Sequence, residues 1–183
     1  MRRALFAFAG LLLAVAGCGG SPAKAATPPN AEDVMFLQMM IPHHEQGIEI
    51  AKLAAGRPIR PELKELANAI VLTQGTEVED MKRWLKEWGQ PADANPDPGA
   101  HAAHGGMKMT DPTKVTTLQS ASNAEFQQKF IAVLVGHQQG AVELAQAENS
   151  SNGGTYADAR DLARRIIESR NAEVKQLLNY NTT

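Results

Sequence analysis

The sequence predicts an all-α fold: a four-helix up-and-down bundle built from two duplicated helical hairpins. Three observations carry this. Apolar and soft side chains recur at helical spacing along four long stretches between residues 31 and 180. No alternating apolar run closed by hairpin turns occurs, so strands are not expected. The two halves also repeat. Phe36–Ala51 aligns without a gap on Phe130–Ala145, with Phe, His, Glu and Ala recurring in place. Leu66-Ala67 and Glu77-Val78 likewise fall on Leu162-Ala163 and Glu173-Val174.

Ahead of the bundle stands an address. Arg2 and Arg3 precede an apolar run, Ala4–Ala16, too short to span a bilayer stably. The run ends in Val15-Ala16-Gly17-Cys18, small residues before a lone cysteine, which resembles a bacterial lipobox. Residues 1–17 therefore read as a lipoprotein signal peptide. Cys18 is then the lipidated first residue of the mature chain, and residues 18–30 are a flexible tether rich in Gly, Ala and Pro. Removing residues 1–17 takes away Arg2 and Arg3. It leaves 166 residues with formal charge −4 in place of −2. The expected location is the outer side of the bacterial cytoplasmic membrane, at the cell surface or in the periplasm, with the membrane itself as a partner through the lipid.

The bundle is expected over residues 31–180: a first hairpin at 31–90, a His/Met-rich loop at 91–112 and a second hairpin at 113–180. Asn30, with Asp33 three residues on, caps the first helix, which carries Phe36, Met39, Met40, His43, Gly47, Ile50 and Ala54. Gly56 and Pro58 stop it. Pro61 suits the first turn of the second helix, whose broad face holds Leu63, Leu66, Ile70, Gln74, Met81, Trp84, Leu85 and Trp88 before Gly89 and Pro91. Asp111-Pro112 opens a short helix to about Ser120. Asn123 is expected to cap the next long helix, with Phe126, Phe130, Val133, Leu134, His137, Ala141 and Leu144 inward. Residues 149–154 break it. The last helix carries Leu162, Ile166, Val174, Leu177 and Leu178.

Composition excludes several functions. The balanced charge and 5% aromatic content fit neither a polybasic nor a base-stacking nucleic-acid partner. A single cysteine excludes an internal disulfide and any cysteine-built zinc or iron–sulfur site. There is no Gly-x-Ser-x-Gly, no phosphate loop and no Glu-x-x-His, the last being what a di-iron carboxylate bundle would need. No catalytic motif is found.

The distinctive chemistry lies in Met and His. Apart from the initiator there are six Met and five His, and all but His137 fall between Met35 and Met109. At i, i+4 spacing Met39 lies above His43 and Met40 above His44. His101, His104, Met107 and Met109 form a second, glycine-rich cluster that would act as a mobile acceptor or lid. Thioether and imidazole without thiolate suit copper, and Cu(I) in particular. The competing reading is plain: Met39, Met40 and Met81 also sit on core stripes, and His43 and His137 also suit a packed interior. Between the halves Met39 and Met40 become Val133 and Leu134, His44 becomes Gln138, and Met81 becomes Leu177. Arg170 takes the slot of Gln74 and is expected to pair with a carboxylate.

Met40-Ile-Pro-His43-His44, the later Gly106-Met107 and the duplicated hairpins resemble the family called domain of unknown function 305, over roughly Ala31 to Leu178. The resemblance implies a ferritin-like helical bundle, and exported proteins linked to copper binding or copper tolerance. It assigns the family's metal-binding motif to His43, His44, Met39 and Met40, matches Gln74 and Met81 to the helix-two pattern, and matches His137 to the second copy of the motif. Family members often carry His-His and Met in that copy, where this chain has Gln138, Val133 and Leu134. The expected function is therefore a membrane-tethered copper-binding protein for capture, buffering or handover, with a copper donor or acceptor protein as partner. Two alternatives stand beside it: a helical structural or interaction module without metal, and a metal-dependent oxidase.

Overall fold

The computed structural model describes residues 27–95, 97, 99, 101–102 and 106–181. The signal peptide, Cys18, most of the tether and His104 lie outside the described residues. Five helices follow in order: α1 (Ala31–Lys52), α2 (Pro61–Glu87), α3 (Pro112–Gln119), α4 (Asn123–Glu148) and α5 (Ala157–Asn181), with no strand among the described residues. The fold is the expected all-α bundle of two hairpins, α1/α2 and α4/α5, with the short α3 packed on α4.

Local chemistry sets the helix ends. Asn30 and Asp33 form a capping box: Asp33 N donates to Asn30 Oδ1 at 3.0 Å and Asn30 N donates to Asp33 Oδ2 at 2.7 Å. Pro61 stands at the first turn of α2, and Asp111 caps α3 by accepting from Thr113 N at 2.7 Å. One expected cap shifts by a residue. Ser122 holds the cap position of α4 and Asn123 is already helical. Pro42 lies inside α1, which continues through it.

Each hairpin is up-and-down, and the chain between them crosses the length of the bundle. Trp88, at the end of α2, flanks the start of α1 beside Val34 and Met35. At the opposite end Arg57, just past α1, donates to the carbonyls of Gln119 and Ala121, at 2.8 and 3.1 Å, where α4 begins. Helices α1 and α4 consequently run antiparallel, with His43 against His137. One long crossover is the ferritin-like arrangement. The two ends of the crossing segment are held along α1, where Gln38 Nε2 donates to Pro91 O at 2.8 Å and Gln46 pairs with both the N–H and the carbonyl of Thr110, at 2.8 and 3.0 Å.

The interior divides into two apolar clusters. One gathers Phe36, Met39, Met40, Met81, Trp84, Leu144 and Leu162; the other gathers Ile50, Leu63, Ile70, Phe126, Phe130, Leu134 and Leu177. Burying one such side chain stabilises the fold by roughly 1.5–3 kcal/mol against chain entropy, so these clusters supply the main folding force. Leu178 departs from the expected inward stripe and is 49% exposed. Leu66, Val133 and Trp88 only edge the clusters. No described helix is long and apolar enough to cross a membrane.

At the first cluster's outer end, Asp33 ties α1 to the α4–α5 link. Its carboxylate accepts from Thr155 N and Tyr156 N, both at 3.0 Å. Burial would raise Asp33, but hydrogen bonds from Asn30, Thr155, Glu148 and Tyr156 hold it below the usual carboxylate range. Glu148 beside it is pushed up to about 9, by burial and by Asp33, and therefore keeps its proton at neutral pH.

Candidate metal centre

Between the two apolar clusters lies a polar layer built from all four long helices. His43 and His44 are consecutive on α1, so they point about 100° apart around it. His44 turns toward α2, where its Nε2 meets Glu77 Oε2 at 2.8 Å. His43 turns toward α4, where its ring stacks on His137 with centroids 4.0 Å apart and planes 18° apart. From α5 comes Arg170, fully buried, which donates to Glu77 Oε2 and, at 2.9 Å, to Glu173 Oε1. Gln138 Nε2 donates to Glu173 Oε2, and Gln74 Nε2 donates to Gln138 Oε1 at 3.3 Å. The network is continuous from His44 through both glutamates to Gln74.

Two glycines make room for it. A Cβ at Gly47 would overlap Gln74 Oε1 and come within 2.7 Å of His137 Nε2. One at Gly140 would come within 2.8 Å of the Lys108 carbonyl and 3.1 Å of His43 Nε2. Gly47 therefore leaves Gln74 and His137 converging over the α1 backbone.

Burial dominates the protonation states. It holds His43 well below the usual histidine range, reinforced by His137, His44 and Arg170 and opposed by the Lys108 carbonyl. It holds His44 down as well, against the upward pull of Glu77. His137 is lowered to about 4, by burial and then by His44. All three rings are thus neutral at neutral pH. Burial pushes Glu77 up, but the His44 hydrogen bond and the Arg170 charge outweigh it and keep Glu77 ionised. On Glu173 burial wins, and the carboxyl is raised.

A carboxylate only accepts, so the Glu77 contact places the His44 proton on Nε2 and leaves a lone pair on Nδ1. Thr110 Oγ1 lies 3.0 Å from His137 Nδ1, and a hydroxyl can serve either tautomer. Among the described residues, His44 Nδ1, His137 Nε2 and Gln74 Oε1 are buried without a hydrogen-bond partner, and His43 has no side-chain partner, its one polar neighbour being the Lys108 carbonyl. Buried polar atoms are normally paired. Neutral imidazole nitrogens suit a borderline ion, so the three histidines fit copper, whereas the Gln74 amide oxygen is a harder donor. No three described His, Cys, Asp or Glu side chains are gathered closely enough to hold an ion by themselves. In the stack, moreover, the two rings direct their lone pairs along nearly parallel planes. A shared ion requires one ring to turn and neutral donors to complete the shell.

The sequence profile of the domain of unknown function (DUF305) family matches residues 33–181. The chain belongs to the DUF305 family. A DUF305 fragment from Deinococcus radiodurans shares the fold at 23% identity, with a TM-score of 0.73 over 85% of this chain and 99% of that one. CopM in its Cu(I)-bound form is 30% identical, with a TM-score of 0.65 over 82% of this chain and 95% of that one. It has also been solved with Cu(II) and with silver. Uncharacterized protein L153 of Acanthamoeba polyphaga mimivirus is 36% identical over 56 residues. That match takes in 31% of this chain and 37% of the viral protein, so the chain spans little more than a third of that relative.

Within this DUF305 chain the predicted ligands separate into groups. His43, His44 and His137 share the polar layer. Met40 and Met81 are fully buried in the adjoining apolar cluster. Met39 belongs to the same cluster but lines a small cavity with Met35, Phe36 and Glu148, on the side of α1 that meets the end of α4. His101 is buried with its Nε2 2.7 Å from Asn95 O, and it shares a side pocket with Met107, Pro42 and Glu45. Met109 stands at the surface of a different groove, beside His137. Arg170 pairs as expected, with two carboxylates in place of one. Reading the sequence missed Glu77, Glu173, Gln138, Thr110 and Gly47. The two glutamates carried a signal: they persist at equivalent positions of the repeat while Gln74 and Met81 change.

Proposed function

We propose that this chain is an exported, membrane-tethered copper-binding protein that holds Cu(I) in the polar layer, for capture, buffering or handover to a partner protein. His43 and His44 are the principal ligands, His137 and Gln74 supply further donors, and Met40 and Met81 offer thioethers from the adjoining cluster. The carrying observation is the set of neutral, buried imidazole nitrogens without a side-chain partner on His43, His44 and His137, with Gln74 Oε1 beside them. The charge balance supports a monovalent ion. Glu77 and Glu173 face one guanidinium, Arg170, which leaves one negative charge for a proton on Glu173 or a monovalent cation to cancel. Neutral donors also spare the desolvation cost of burying further carboxylates. The CopM structures with Cu(I) and silver support the same chemistry in a relative. The leader, with Arg2, Arg3, the Ala4–Ala16 run and Cys18, supports export and a lipid anchor.

A competition titration tests the reading. The full chain in detergent is titrated with Cu(I) against a chromogenic chelator, beside a His43→Gln/His44→Gln variant checked by circular dichroism. Tight stoichiometric binding in the wild type that is lost in a folded variant is the expected result. Equal binding by the two overturns the assignment and leaves a packed helical interaction module.

A further inference from the structure

Most of the polar layer is buried, Glu173 being its most exposed side chain at 14%, and one groove meets it at His137. A groove of about 360 Å³ runs between the strap at residues 108–111 and helix α4, lined by Lys108, Met109, Thr110, Gly136 and His137 among others. The side pocket holding His101 and Met107 stops at Ile41, Pro42 and Glu45 and reaches no histidine of the layer. The groove by contrast has a thioether at its surface and an imidazole at its floor: Met109 is 39% exposed and His137 is 1% exposed. Thr110 lies between them, its backbone clasped by Gln46 and its hydroxyl on His137 Nδ1. Lys108 adopts a left-handed backbone (φ 52°), the turn from which Met109 emerges. Gly136 contributes no side chain, and a Cβ there would meet nothing within 4 Å.

We propose that this groove is the loading port of the copper site, with Met109 capturing Cu(I) by ligand exchange and His137 receiving it into the layer. This rests on the copper reading above. The chemistry of the wall favours exchange from a carrier over electrostatic capture of a free ion. Lys108 is neutralised by Glu143 at 2.7 Å, and Asp111 offsets Lys114, so the mouth presents no strong field. An exposed thioether is a soft, weakly held and readily exchanged ligand for Cu(I). Thr110 Oγ1, at the groove wall, sits on His137 Nδ1, so an ion entering there displaces that contact, while the free Nε2 lies inside beside Gln74. A port residue outside the final coordination shell lowers the barrier in both directions. Its removal slows uptake and release by the same factor and leaves the equilibrium affinity alone.

The test is stopped-flow transfer of Cu(I) from its bicinchoninate complex to the full chain in detergent, with the dissociation constant measured in parallel. Met109→Leu keeps the volume and removes the sulfur. Gly136→Leu places a side chain in the groove between Met109 and His137. Both are expected to slow transfer about tenfold, with affinity unchanged within about twofold. If Met109→Leu transfers at the wild-type rate, the port is overturned and the buried site stands. If its affinity falls with its off-rate raised, Met109 is a resident ligand and the port is again overturned. If the wild type takes up no Cu(I), the site reading itself fails and the port fails with it.

Discussion

His44 and Gln138 occupy equivalent places in the two hairpins and do the same mechanical work. Each donates an N–H to the glutamate across its own hairpin, Glu77 or Glu173. Arg170, standing where the first half has Gln74, ties the two glutamates together. The difference lies in what remains after that bond. His44 keeps a free lone pair on Nδ1, whereas Gln138 spends its carbonyl on Gln74. Gly47 against Ala141 repeats the contrast. The glycine leaves space over the donors, and the alanine fills its equivalent place in the core. Both halves therefore hold the fold, and the first also carries donors free for coordination, so the two roles should separate under substitution.

The largest effect should come from the residue both halves share. Arg170→Leu leaves two buried carboxylates without their cation and should cost about 3–5 kcal/mol in urea denaturation. Adding Glu77→Gln and Glu173→Gln should recover much of it. A loss near zero for the single variant would break the view of Arg170 as the tie between hairpins.

Acid should expose the histidine half next. His137 titrates near 4 when folded, against about 6.5 for an ordinary histidine. Above 6.5 both folded and unfolded rings are neutral, and the stabilisation is complete. Between 6.5 and 4 the unfolded chain takes up a proton that the folded ring refuses. This group should therefore lower metal-free stability over that window by about 2–3 kcal/mol, with His43 and His44 adding in the same direction and the raised Glu148 and Glu173 opposing it. In His137→Gln the fall should be shallower, and an unchanged slope would assign the acid response elsewhere.

Gly47→Ala writes the second-half residue into the first. The new methyl meets Gln74 and His137, so stability should drop by about 1–3 kcal/mol despite the better helix propensity of alanine. Copper affinity, read by chelator competition, should drop as well. Retained affinity would mean that the space over Gly47 is not used.

The smallest change in stability, below about 1 kcal/mol, is expected for His44→Gln, because the amide can keep the bond to Glu77. Copper affinity should nevertheless fall about 10–100-fold. Gln138→His, the reverse exchange, should raise affinity or add a second equivalent. If His44→Gln unfolds the chain instead, coordination and folding are not separable in the first half.

Much of the molecule was legible as text. The capping box at Asn30 and Asp33, Pro61 at a first helical turn and the inward stripe from Phe36 to Ala54 are local patterns, and they form as written. The offset between halves also foretold that His43 and His137 would be counterparts, and they meet face to face. Less legible was the fate of the methionines. Met39 sits one turn from His43, yet it lines a cavity with Met35 and Glu148. Helix α1 is buried around most of its circumference, so neighbours on one strip can face different partners. The loop cluster fared similarly: His101 and Met107 share one pocket while Met109 flanks another.

By itself the sequence determined the helices, the duplicated hairpins and the concentration of Met and His in the first half, because periodicity, capping and repetition are properties of neighbouring residues. Only the tertiary structure decided that His44 faces Glu77, that Arg170 ties both glutamates, that Gly47 holds space for Gln74 and His137, and that Met109 and His137 flank one groove. Those outcomes depend on how α1 is rotated against α2 and α4, and on a crossover that brings residues 108–111 back onto α4. Rotation and crossover are set by packing between segments far apart in the chain, which no local pattern encodes.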